Sequence, residues 1–172
     1  GRPYKDGITP VNCADSGALY DNLDSYLALA DKWDVIYFNA GLHDIKRIDR
    51  VNNIETDPTQ PPLASLSKYQ SNLRKIVEKL KTTGAKIIFA TMTPFPDATT
   101  VPCRLLQDAI DYNAAAVEIM NENGVAVSDL YNYILPYLDE MQLENNVHFT
   151  SSGYEFLARE VSNAILSQLN SN

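Results

Sequence analysis

The segment Asn145-Asn146-Val147-His148-Phe149-Thr150-Ser151-Ser152-Gly153-Tyr154 sets one of the chain's two histidines in a short loop just before an amphipathic helix. An imidazole held this way can reach into a cleft and act as a general base toward a hydroxyl nucleophile, provided a neighbour holds its other ring nitrogen. That neighbour is usually a carboxylate. Here the residues at useful upstream spacings, Asn145 and Asn146, are amides. The plainer alternative is a loop histidine satisfied by backbone groups, with Phe149, Tyr154, Phe156 and Leu157 serving as core.

Two further blocks carry polar groups that chemistry could use. Asn12-Cys13-Ala14-Asp15-Ser16-Gly17 is a tight polar turn opening a helix. The unpaired N–H groups at a helix start point outward and suit an anion or a developing oxyanion. Read plainly, Asp15 or Ser16 caps the helix. Asn39-Ala40-Gly41-Leu42-His43-Asp44 follows an apolar run directly. Gly41 permits a sharp turn and His43 could present a ring N–H at the strand end. Its structural reading is a turn in which Asp44 caps local backbone groups.

The elements that must position these blocks alternate along the chain. Leu19, Leu23, Tyr26, Leu27 and Ala30 repeat at helical spacing over about residues 18–30. Asp34-Val35-Ile36-Tyr37-Phe38 reads as a buried strand. A long polar loop carrying Pro58, Pro61 and Pro62 runs from Asn39 to about residue 62, a length that is usually functional. A helix is predicted from about Ser65 to Lys81, a second buried strand over 86–91, and a loop through Pro94, Pro96 and Pro102. There follow a helix from about Cys103 to Asn121, a short strand at 125–127, a helical stretch near 130–141, and a last helix over about 152–169. Continuous rather than alternating apolar strands between helices predict a parallel sheet covered on both faces, a flavodoxin-like three-layer α/β/α sandwich. The three blocks would then meet at the C-terminal edge of the sheet, where such folds bind ligands.

Bulk properties narrow the field. At 172 residues one domain over 1–172 is expected, with room for a sizeable core. The net charge of −8 argues against nucleic acid as a partner. No segment approaches the ~20 apolar residues of a membrane span. Cys13 and Cys103 suggest neither a disulfide framework nor a CxxC metal site, and two separated histidines make a zinc centre improbable. No metal or cofactor is expected. The opening residues Gly1–Gly7 do not read as a signal peptide, and a mature secreted or periplasmic protein would begin the same way. A nucleotide-binding flavodoxin-like module would fit the layering, but the chain has no phosphate-cradling glycine loop.

Taken together, the blocks resemble those of the SGNH (GDSL-type) hydrolases. Asn12-x-Ala14-x-Ser16-Gly17 is similar to that family's N-x-G-x-S-G turn, and Gly41-Leu42-His43-Asp44 to its G-x-N-D block. Asn145-Asn146-Val147-His148 with Phe149-Thr150-x-x-Gly153-Tyr154 resembles its final D-x-x-H block. The resemblance implies the esterase chemistry of that family on small-molecule or carbohydrate esters, with a serine nucleophile and no metal or cofactor. It places His148 as base, Asn145 at the position of the orienting acid, Ala14 as a backbone oxyanion donor and His43 where the family has asparagine. Gly41 and Asp44 complete the oxyanion and substrate-binding side. The family's opening Gly-Asp-Ser block has no counterpart in these 172 residues. The expected sheet therefore lacks its first strand, and exposed core left there would favour dimerisation or strand exchange. Ser16 is the one serine near the expected site. It opens a helix after a polar turn without a preceding long apolar strand, and its spacing to Gly41 suits the second block rather than a shifted Gly-Asp-Ser. The alternative function is a binding or structural module of the same fold with an impaired site.

Overall fold

The structure is a computed structural model in which residues 13–49 and 57–171 are described. Asn12, the residues before it and the middle of the long loop lie outside them. The element order follows the sequence closely: α1 (Ser16–Leu27), β1 (Val35–Phe38), α2 (Leu66–Lys81), β2 (Lys86–Ala90), α3 (Leu106–Glu122), β3 (Ala126–Ser128), α4 (Leu130–Ile134), α5 (Leu138–Met141) and α6 (Ser151–Asn170). Asp15 caps α1 by accepting from the Gly17 and Ala18 N–H groups, and Thr150 caps α6 at Gly153.

Helix α1 ends at Leu27 rather than Ala30, and two further departures from the sequence expectation have visible causes. Helix α3 starts at Leu106 rather than Cys103, because the Cys103 carbonyl accepts from Arg47 N–H and holds that residue extended. The stretch at 130–141 is not one helix: Pro136 lies in a 3₁₀ turn, Leu135–Tyr137, that separates α4 from α5. Proline has no N–H for the helical ladder and its ring crowds the preceding turn.

The strands are parallel in the order β1-β2-β3, with Phe38 opposite Phe89 and Ala90 opposite Ser128. Successive β2 side chains face opposite layers. Ile87 and Phe89 join Tyr69, Leu73, Ile76, Val77 and Leu80 of α2 and Ile119 and Met120 of α3 in the main core, while Ile88 faces Glu160 and Ala164 of α6. Helix α6 touches all three strands. The result is a three-layer α/β/α sandwich. The stripe of α2 is essentially closed to solvent, each large apolar side chain contributing about 2 kcal/mol by leaving water. No helix among the described residues is long and apolar enough to cross a membrane.

Among the described residues β1 pairs on one side only, with β2. Its other side opens on an apolar cavity of about 270 Å³ lined by Leu23, Tyr26, Trp33, Ile36 and Phe38.

The turn after β1 is braced from several elements. Tyr69 Oη donates to the Ala40 carbonyl at 2.9 Å, Asn39 Nδ2 to the Ala90 carbonyl at 2.7 Å, and Arg104 Nε to the Leu42 carbonyl at 2.8 Å. Arg47 pairs in a fork with Asp108 of α3, both contacts at 2.9 Å, and donates to the Gln60 carbonyl. Gly41 adopts φ +133°, and a Cβ there would come within 2.5 Å of Met92 Sδ. Gly41→Ala combines a backbone conformation reserved for glycine with overpacking, so it is expected to destabilise the fold by about 2–3 kcal/mol. A urea midpoint lowered at unchanged slope is the readout.

Candidate active site

All three strands point the same way, so the loops leaving them share one edge. Beyond β1 stands the Gly41–Asp44 turn. Beyond β2, the Pro94 carbonyl accepts from Gln142 Nε2 at 2.9 Å, and Gln142 pairs antiparallel with Phe149. This pairing hangs the His148 loop over the end of β2. Val147 packs against the main core, as do Leu42 and Cys13 from the other two blocks.

Ser16 does not occupy the position of a nucleophile. It is fully buried. Its Oγ donates to Asp44 Oδ1 at 2.5 Å and accepts from Asn72 Nδ2 at 2.9 Å, while its backbone N–H donates to Asp44 Oδ2 at 3.0 Å. A hydroxyl whose proton and lone pair are both committed in a dry interior cannot reach an ester carbonyl. Ser16, Asp44 and Asn72 form a lock joining the start of α1, the turn after β1 and helix α2. Asp44 likewise faces the interior, with no exposed surface. Burial pushes its carboxyl above the ordinary value, and the two Ser16 donors pull only partly against this.

His148 is exposed, and its Nδ1 lies 2.7 Å from Asn146 Oδ1, which also accepts the His148 N–H at 3.1 Å. Asn146, rather than Asn145, is therefore the imidazole's partner. Asn145 sits at φ +50°, the left-handed corner of the turn, a conformation its short polar side chain tolerates. An amide oxygen at Nδ1 selects the tautomer that leaves Nε2 free to accept a proton, but it brings no charge to stabilise the imidazolium. Asn146→Asp is expected to raise turnover of an ester about tenfold. The gain is modest because a carboxylate at this exposed site acts through a high dielectric. Steady-state kinetics on both forms checks it.

His43 is half-buried, with Nδ1 3.0 Å from Lys46 Nζ. Burial first, then the positive charges of Lys46 and Arg104, hold its pKa below the ordinary imidazole value, with Asp15 acting the other way. The ring is thus neutral at pH 7. Ala14 adopts φ +53° at the turn before α1, a left-handed corner that costs an alanine about 1–2 kcal/mol.

Sequence reading missed three members of this edge, Asn72, Lys46 and Arg104, and of the two amides it put Asn145 at the acid position where the contact is with Asn146. A signal existed for Asn72, a polar residue three positions after Tyr69 on an otherwise apolar helix face. Arg104 is buried in a loop that reads as polar, and nothing in its local sequence marks it. A cavity of about 830 Å³ between α3 and the Asp129–Asn132 turn is lined by none of His43, His148 or Ser16. Among the described residues no cluster of His, Cys, Asp or Glu is arranged to hold a metal.

The parallel α/β/α sandwich thus carries its polar turns and both histidines on loops beyond its strands. The chain belongs to the GDSL-like lipase/acylhydrolase family, which it matches over residues 5–156. Solved structures agree. A lipase/acylhydrolase from Enterococcus faecalis superposes with a TM-score of 0.68 at 18% identity, covering 90% of this chain and 71% of that one. An acetylxylan esterase from Geobacillus stearothermophilus gives 0.68 at 18% identity over 95% and 71%, and the acetyl xylan esterase AlAXEase gives 0.69 at 15% over 90% and 78%. At such identities the likeness is one of fold. No curated protein gives a match.

Proposed function

We propose that the protein hydrolyses carboxylic esters of short acyl groups by serine–histidine acyl transfer, with acetyl groups on carbohydrates as the leading substrate class. Family membership supports the ester chemistry, and the acetylxylan esterases among its structural neighbours suggest the sugar acetate. The observation that carries the reading is the neutral, half-buried His43 at the end of β1, on the same sheet edge as the exposed His148. In this reading His148 Nε2 takes the proton of the attacking serine and returns it to the leaving alcohol, while Asn146 holds Nδ1. The His43 ring N–H receives the oxyanion, such a donor contributing roughly 3–4 kcal/mol. The described residues do not provide the serine. The unpaired side of β1 is where a further strand would deliver it, and a strand there would also cover the apolar cavity beside Phe38.

A second reading, a binding module of the same fold, is favoured by the locked Ser16 and by an amide at the position of the orienting acid. Turnover of p-nitrophenyl acetate and acetylated xylo-oligosaccharides by the full-length protein, with fluorophosphonate labelling followed by peptide mapping, separates the two. Hydrolysis with labelling at a serine other than Ser16 is expected. Binding of the oligosaccharide with neither hydrolysis nor labelling supports the module instead.

A further inference from the structure

We propose that Lys46 is a positioning residue: its ammonium fixes His43 in the tautomer carrying the proton on Nε2, so that this N–H is a constant donor at the sheet edge. The proposal rests on the reading of His43 as an oxyanion donor, but its first test does not depend on catalysis.

The chemistry follows from the donor inventory. An ammonium has three donors and no acceptor. With Lys46 Nζ at 3.0 Å, His43 Nδ1 must therefore supply the lone pair, and a neutral ring that accepts at Nδ1 carries its proton on Nε2. Among the described residues Nε2 has no protein partner. A protonated ring would lose the acceptor and bring a second positive charge against Lys46. The charged groups facing the ring are Lys46 and Arg104, which oppose its protonation, and Asp15, which favours it; burial opposes it most.

Lys46 is itself held in place. Its carbonyl accepts from Leu63 N–H at 3.0 Å, and the next residue is anchored twice, through its backbone to Cys103 and through its guanidinium to Asp108. Arg104 grips the Leu42 carbonyl one residue before the histidine. Ring and ammonium thus sit on the same braced turn. A side-chain amide has donor polarity of its own. A histidine in the same place acquires it only when one nitrogen is committed, and Lys46 makes that commitment.

The test uses long-range ¹⁵N–¹H correlation spectra of the labelled full-length protein. With only two histidines in the chain, His148→Ala assigns both rings. His43 is expected to show a protonated Nε2 and an unprotonated Nδ1 at neutral pH, and to protonate only below the pH at which an ordinary imidazole does. Lys46→Met should move the ring's titration to higher pH than in wild type, with burial and Arg104 still holding it below an ordinary imidazole, and populate the other tautomer. Lys46→Glu should invert it, because a carboxylate accepts from Nδ1–H. Lys46→Arg should retain the wild-type spectrum. In acetyl-ester turnover, Lys46→Met should lower kcat/KM about tenfold, part of the loss expected for a whole oxyanion donor, with recovery in Lys46→Arg. A wild-type His43 protonated on Nδ1, or a Lys46→Met spectrum and titration identical to wild type, overturns the proposal. A Lys46-dependent tautomer in a protein that turns over no ester upholds the pair and counts against the esterase reading alone.

Discussion

Ester turnover is expected to fall about 10²–10³-fold in His148→Ala, with KM and the unfolding midpoint unchanged. The magnitude is that of a lost general base rather than of a full charged triad, because the partner of the imidazole is an amide. A base acts on the proton in flight, so its removal lowers kcat and kcat/KM together and leaves ground-state binding alone. Stability is spared because the ring is exposed and its side-chain contact is local to the loop; surface changes of this kind stay within about 0.5 kcal/mol. The backbone of His148 keeps its own anchor, accepting from Leu143 N–H at 3.0 Å. Steady-state kinetics and thermal unfolding on the same preparation decide the matter. Turnover indifferent to the histidine would remove His148 from the mechanism and with it the serine–histidine reading.

The layers and the edge were legible in the sequence because they rest on local patterns. Val35–Phe38 and Lys86–Ala90 are short runs of strand-forming residues, and α2 carries an apolar stripe at helical spacing that a sheet face must cover. What each polar residue does at the edge was not legible, because it is settled by partners distant in sequence. Ser16 looked available as the serine nearest the expected site. Its burial depends on Asp44 and Asn72, which lie 28 and 56 positions away. The choice between Asn145 and Asn146 turns on one backbone angle, the left-handed corner at Asn145. Motif spacing points to Asn145, whereas the imidazole contact is with Asn146. His43 could be read as a donor from its place after a strand, whereas its neutrality depends on burial and on Lys46 and Arg104 together.

The same distant partners make Asp44→Ala the substitution with the largest expected effect on the fold. Asp44 has no exposed surface, and it accepts both the Ser16 hydroxyl and the Ser16 backbone N–H, which begins α1. Alanine leaves these donors buried and unpaired and opens a void between α1, α2 and the turn after β1. Hydrogen bonds to charged groups are worth about 1.5–3 kcal/mol each, and breaking a buried set from one side costs about 3–5 kcal/mol. For a chain of this length that lowers Tm by about 10 °C. Asp44→Asn keeps an acceptor for the backbone N–H and is expected to fall between the two. Its comparison with wild type also carries a pH signature. The folded carboxyl has a raised pKa, chiefly through burial, so the folded state binds its proton more tightly than the unfolded chain does. The stability this confers is complete below the ordinary carboxylate value and is lost as pH rises through the raised folded value. Asparagine cannot titrate. The stability gap between wild type and Asp44→Asn should therefore narrow as pH rises from about 4 toward neutrality. Urea titrations of both proteins across that range test the sign, and a gap that widens with pH would mean that the Ser16 donors outweigh burial and hold the carboxylate charged.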